Sequence, residues 1–256
     1  MQLRTDRISV SHGDITAVSE ASLRINRGEF ITLVGPNGAG KSSLLKGIAG
    51  LLPTCGGRVL LSTDRGDKDL TSAPAWDRVA MGIRYVPQER PVFQELTVFD
   101  NLSLALSHCR RMSKMQVRSM IDQALSIFPE IRDRGHQEAS TLSGGEQRML
   151  SLACAWVHRE SIKITTASDA FLLLDEPAHG LAPAAIDRIE MHLRELRSRG
   201  MSVLCVEQSA TFTVRLADRT YLMSRGTVSE SRVAADILTS DFYTEYFGTT
   251  PLSLED

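Results

Sequence analysis

The chain has 256 residues, a length that suits one large domain or a core with an attached subdomain. Hydrophobic residues make up 42% and charged residues 23%, with a formal charge of −2, so the composition is that of a globule able to bury a full core. This balance gives no broad attraction for nucleic acid or acidic lipid. No apolar run approaches the ~20 residues of a membrane-spanning helix, and the opening residues lack the apolar stretch of a secretory signal. Cys55, Cys109, Cys154 and Cys205 are far apart and form no CxxC pair, so they read as reduced thiols of a cytosolic protein.

In chain order, the first clear element is the apolar run Phe30-Ile31-Thr32-Leu33-Val34, which ends at a glycine. The runs at 58–61, 82–86, 171–174 and 202–206 have the same character. Continuous apolar runs suit strands covered on both faces, as in a mostly parallel sheet. Helical patterns occupy 98–106 and 115–127, and 92–150 holds no convincing strand, so this stretch reads as a helical insertion in an α/β core. The polar segment 158–169 reads as an exposed loop between a helix and a strand. A further amphipathic helix starts near Pro183, repeats Ile186, Ile189, Leu193 and Leu196 at helical spacing, and ends at Gly200.

Gly35-Pro36-Asn37-Gly38-Ala39-Gly40-Lys41-Ser42 fits G-x-x-x-x-G-K-[ST] between a strand and a helix that opens with Ser42-Ser43. Glycines let backbone N–H groups wrap closely around phosphate, and the helix N-terminus adds donors. Lys41 places a cation at the β/γ-phosphates and the Ser42 hydroxyl suits Mg²⁺. These residues predict a nucleotide phosphate site. Asp175 and Glu176 stand at the end of the apolar run 171–174, where ligands gather in open α/β sheets. Asp175 there can hold Mg²⁺, and Glu176 can orient or deprotonate an attacking water. Ser143 with Glu146 forms the spacing of a capping box. The same helix N-terminus, with Gly144 and Gly145, can also admit a γ-phosphate.

Taken with Gln88 in Tyr85-Val86-Pro87-Gln88, these motifs resemble, in order and spacing, the ATP-binding cassette (ABC) transporter ATPases. The resemblance covers about residues 2 to 248 and implies a P-loop NTPase fold. Its parts would be a mostly parallel core sheet with an antiparallel β subdomain (1–91 and 151–248), a helical signature subdomain (92–150) and a short tail (249–256). It implies ATP and Mg²⁺ as ligands, with Gln88 linking the metal site to the helical subdomain. Ser143, Gly144 and Gly145 would meet ATP held by a second ATPase subunit, a copy or a paralogue, which closes on ATP and reopens on hydrolysis. Transmembrane permeases, and through them a solute-binding protein, would be the other partners, with the chain peripheral on the cytoplasmic face of the inner membrane.

Within the family, Val92-Phe93-Gln94-Glu95-Leu96-Thr97-Val98, Gly180-Leu181-Ala182-Pro183, Val206-Glu207-Gln208 and the ending at 242–248 resemble the branched-chain amino-acid and urea/amide uptake group. Four departures accompany that likeness. Gln208 stands at the usual switch histidine, Ala182 at a usual aspartate, and Cys154 at a common arginine. His12 replaces the tyrosine that would stack on adenine, a loss of ~0.5–1 kcal/mol in stacking. The segment 161–169 resembles an insertion. Lipopolysaccharide-type export is an alternative within the family. A nucleic-acid-maintenance ATPase is a more distant one, since the stretch between Gln88 and Leu142 is too short for the long coiled coil of those proteins. Elsewhere His108-Cys109 is an isolated pair without metal-site spacing, Trp76 and Trp156 read as packing residues, and His179 reads as a solvated loop residue, with contact to the nucleotide interface as the alternative.

Overall fold

A computed structural model describes residues 1–64, 66–89, 91–107, 112–166, 170–208, 210–229 and 232–233. The chain opens with two long strands, β1 (Gln2–His12) and β2 (Ile15–Asn26). There follow β3 (Phe30–Val34), α1 (Lys41–Ala49), β4 (Thr54–Thr63), β5 (Gly66–Asp69), α2 (Ala75–Ala80) and β6 (Ile83–Val86). A helical stretch holds α3 (Val98–Ala105), α4 (Lys114–Ile127) and the start of α5 (Gly144–Thr166). The chain then runs through β7 (Phe171–Asp175), α6 (Pro183–Ser198), β8 (Ser202–Glu207), α7 (Ala210–Leu216) and β9 (Arg219–Ser224) to the short β10 (Thr227–Val228) and β11 (Arg232–Val233).

Two sheets carry the fold. In the larger one, β9, β3, β8, β7 and β6 are parallel neighbours in that order, and β10 and β11 join β9 antiparallel. Alternate residues of its strands serve opposite cores. Leu172, Leu174, Val203 and Cys205 meet the helical side, with α5 and α6. Leu173, Leu204 and Val206 meet α1 and the second sheet. Burial on both faces is what the unbroken apolar runs at 171–174 and 202–206 predict.

The second sheet is antiparallel, in the order β2-β1-β4-β5. The run at 58–61 belongs here, in β4, and not in the parallel sheet with which its apolar character grouped it. Only Val59, Leu60 and Leu61 of β4 are buried, while 55–58 are exposed, so a short apolar run did not distinguish the two sheets. β1 shows the half-buried alternation of a sheet with one face on a core.

Helix ends follow local chemistry. Thr97 accepts from the Asp100 N–H and caps α3, Ser113 and Gln116 form a reciprocal capping box on α4, and Pro183 begins α6. Among the described residues, 92–150 contains no strand beyond a single bridge from Thr97 to Glu138. Two further expectations fail. Residues 158–166 continue α5 in place of a loop, and His158 is fully buried; the polar letters hid a helix whose inward turn is at His158. Trp156 packs in the core as expected, but Trp76 stands 73% exposed at the start of α2. Residues 108–109, 167–169 and 242–256 lie outside the described residues. No described helix is long and apolar enough to cross a membrane.

Candidate nucleotide site

β3 is buried along its whole length and delivers the chain to the phosphate loop at Gly35. A Cβ at Gly35 would sit 2.0 Å from the Met223 carbonyl oxygen of β9, and one at Gly40 2.3 Å from the Ala17 carbonyl oxygen of β2, where φ is +103°. Only glycine fits at either position. The loop is tied down by the Ala39 N–H donating to the Pro36 carbonyl (3.2 Å) and the Gly226 N–H donating to the Ala39 carbonyl (2.9 Å). Lys41 is 4% exposed, and its Nζ donates to the Gly35 and Pro36 carbonyls at 2.7 and 3.0 Å. Burial lowers its pKa, while the charges of Glu176, Asp175 and Glu207 act to raise it.

β7 brings Asp175 to the first turn of α1. Its Oδ1 accepts from Ser42 Oγ and its Oδ2 from the Tyr85 hydroxyl of β6, both at 2.8 Å. Burial first, then the Asp175 charge and hydrogen bond, push the Tyr85 phenol up, so it stays a donor. Glu176 is buried and carries φ +44°, uncommon for a residue with a Cβ. Its Oε1 accepts from Gln208 Nε2 at 2.7 Å, and His179 Nδ1 lies 3.4 Å from its Oε2. Glu207, buried at the end of β8, accepts from the Ala178 N–H at 3.0 Å and so pins the turn after Glu176.

A cavity of about 390 Å³ gathers these groups, with the loop from Asn37 to Ser43 on one side and Gln88, Glu176 and Gln208 on the other. Gly35 and Pro36 lie under the loop as the acceptors of Lys41. Asp175 stands behind Ser42. His12 is at the exposed end of β1, with Nε2 3.2 Å from Ser43 Oγ. The cradle of donors, one cation and glycines suits a polyphosphate. Ser42 and Asp175 with Gln88 form an oxygen set suited to a hard divalent cation that keeps phosphate and water as its other ligands.

Ser143, Gly144 and Gly145 are elsewhere. They border a separate cavity of about 400 Å³ with Gly180, Leu181 and Ala182. The Ser143 N–H donates to Glu146 Oε2 (3.0 Å) and the Glu146 N–H to Ser143 Oγ (3.3 Å), which completes the capping box. Arg134 pairs with Glu146 Oε1 at 2.9 Å. A Cβ at Gly145 would come within 3.1 Å of Ala185 on α6, so a larger residue would push the signature turn off that helix.

The arrangement can be compared with known proteins. A family model described as ABC transporter matches residues 18–179. The chain belongs to the ABC transporter family.

As a member of that family it is an ATP-binding subunit and an ATPase. A high-affinity branched-chain amino acid transport ATP-binding protein of Pseudomonas aeruginosa is 34% identical over 238 residues, covering 93% of this chain and 95% of that one. A probable branched-chain amino acid transport ATP-binding protein of Archaeoglobus fulgidus is 34% identical, covering 92% and 94%. A lipopolysaccharide export system ATP-binding protein of Haemophilus influenzae is 31% identical, covering 88% of each. Among solved structures, the ADP conformation of an ATP-binding cassette of an ABC transporter is 26% identical with a TM-score of 0.75, covering 94% and 96%. A nucleotide-free cassette, 23% identical with a TM-score of 0.77 over 97% and 96%, shares the fold.

Three residues of this ABC ATPase had no role in the sequence reading. Tyr85 and Glu207 lay inside quoted motifs, but nothing local shows that they hold Asp175 and the turn after Glu176. Arg148 is buried on α5 and donates to the carbonyls of Pro87 and Gln88, each at 2.8 Å. It ties the signature helix to the Gln88 loop. The available signal was a lone arginine on the helix turn that leads into Met149 and Leu150, both buried.

Proposed function

We propose that the chain powers uptake of a small polar solute, such as a branched-chain amino acid, by hydrolysing ATP beneath transmembrane permease subunits. The observation that carries the reading is the convergence of Lys41, Ser42, Glu176 and Gln208 on one cavity, with Asp175 hydrogen-bonded to Ser42 behind it. Loop N–H groups and the α1 N-terminus hold the phosphates, and Lys41 turns from the loop carbonyls to the β/γ-phosphates. Ser42, Asp175 and Gln88 hold Mg²⁺, which supplies charge neutralisation of the phosphates when bound. Glu176 accepts a proton from the attacking water as general base. The Gln208 amide keeps that carboxylate in place and reaches toward the transferred phosphoryl group. His12 faces the adenine end.

Ser143, Gly144 and Gly145 serve ATP held by a second ATPase subunit, with a paralogue favoured as that partner. Their separation from the chain's own phosphate loop, in a different cavity, supports this division. Residues 92–150 act as the signature subdomain, joined to a discontinuous core of 1–91 and 151–248 through α5. The subunit sits peripherally at the cytoplasmic face of the inner membrane and meets a solute-binding protein only through the permeases. The two relatives named for branched-chain amino acid transport favour that cargo. Uptake of labelled leucine and of labelled urea by cells lacking this chain tests it. Leucine uptake should fall and return with the intact gene; unchanged leucine uptake with lost urea uptake would move the cargo to amides.

A further inference from the structure

Glu176 and His179 are the first and last residues of one turn: the His179 N–H donates to the Glu176 carbonyl at 3.2 Å. The turn cannot drift, because Glu207 accepts from the Ala178 N–H inside it and the Glu176 N–H donates to the Val206 carbonyl at 3.0 Å. Glu176 itself takes a left-handed backbone conformation that aims its side chain into the cavity. Its two oxygens then have different neighbours. Gln208 Nε2 holds Oε1 at 2.7 Å, and the His179 imidazole faces Oε2 at 3.4 Å. His179 also borders both the nucleotide cavity and its neighbour against α6 and α7. Its side chain is 60% exposed while that of Glu176 is 8% exposed, so the imidazole is the solvent-facing wall of a buried carboxylate.

We propose that His179 is a positioning residue for Glu176, the second of two holds on its carboxylate; this rests on Glu176 being the general base. The last torsion of a glutamate is broad and roughly two-fold, so a single hydrogen bond on Oε1 leaves the carboxylate plane loosely set. A ring nitrogen 3.4 Å from Oε2 biases the plane from the other side. Each carboxylate oxygen has two lone pairs, which leaves room to accept from the attacking water. The switch position here carries an amide, Gln208, and the imidazole comes instead from the turn three residues past the carboxylate. Among the described residues no hydrogen bond joins the His179 side chain to the phosphate loop, Ser42 or Asp175, so its effect should fall on the chemical step.

The test is ATP turnover by the full chain assembled with its partner subunits. His179→Ala should lower kcat on the order of 10-fold, as for a small misplacement of a reacting group, with KM for ATP unchanged. His179→Asn, which keeps an N–H donor near the position of Nδ1, should recover most of that loss. In a Glu176→Gln background, His179→Ala should have no further effect, because the group it positions has lost its function. Unchanged kcat in His179→Ala, in an assembly where Glu176→Gln does reduce turnover, would overturn the role of His179 and leave the base in place. Equal losses from His179→Ala in both backgrounds would overturn it too, as would a rise in KM alone. If Glu176→Gln turns over normally, the base assignment itself falls and this inference with it.

Discussion

The nucleotide cavity and the signature turn of this subunit are built in opposite ways. At the nucleotide cavity, the contacts of the two carboxylates join residues far apart in the chain: Ser42 with Asp175, Tyr85 with Asp175, and Gln208 with Glu176. At the signature helix, Ser143 and Glu146 satisfy each other across three residues, and the helix N-terminus stays exposed. A site assembled from β3, β7 and β8 is held rigid by the sheet, which suits the placing of reacting groups to a fraction of an ångström. A helix end capped by its own neighbours is a surface, which the proposed second subunit would complete. Arg148 joins the two, since it sits on the signature helix and holds the Gln88 loop.

Substitutions that separate the halves test this contrast. Lys41→Ala should have the largest effect, loss of measurable phosphate release, because the cation of the phosphate loop goes while the apolar core around α1 remains. A folded Lys41→Ala protein with near-normal turnover would break the assignment of the core half.

Glu176→Gln should slow hydrolysis ~10²- to 10⁴-fold while ATP binding survives or tightens, since removal of the base leaves the phosphate contacts intact and relieves charge repulsion. With ATP and Mg²⁺ the assembly should then elute earlier in gel filtration as a closed species. Turnover within about threefold of the unmodified assembly would mean the water is activated otherwise.

Arg148→Met probes the joint. The substitution leaves the Pro87 and Gln88 carbonyls without their charged donor, which predicts a loss of about 2–3 kcal/mol in urea unfolding. ATP turnover should drop with it as Gln88 loosens. An unchanged unfolding midpoint would show that the guanidinium contributes no net stability there.

Ser143→Ala should do least. The lost cap costs about 1 kcal/mol of stability, and nucleotide affinity of the isolated subunit should not move, because that helix end borders a different cavity. A matched loss of ATP affinity, measured by titration calorimetry, would show that the signature serves this chain's own nucleotide.

What could be read in the letters depended on how local the physics was. The phosphate loop was legible because its glycines, Lys41 and Ser42 lie in one run between a strand and a helix. Ser143 and Glu146 were legible for the same reason, as were the helical pattern of α4 and the proline start and apolar stripe of α6. The run at 58–61 was legible as a strand but not as an antiparallel one, because pairing depends on β1, more than fifty residues away. Residues 158–166 were misjudged because polar letters outweighed a helix already set by its first turns. Trp76 shows the converse, a large aromatic left exposed at the start of α2.

By itself, then, the sequence determined the glycine-rich loop that opens α1, the carboxylates that end a buried strand, and the helix end capped by its own neighbours. The tertiary structure alone decided who holds whom. It set Tyr85 and Ser42 on the two oxygens of Asp175, Gln208 and His179 on either side of Glu176, and Arg148 under Gln88. Those pairings arise from strand order, β3 beside β8 beside β7 beside β6, and strand order comes from packing two cores on opposite faces of one sheet, a property no single stretch of chain possesses.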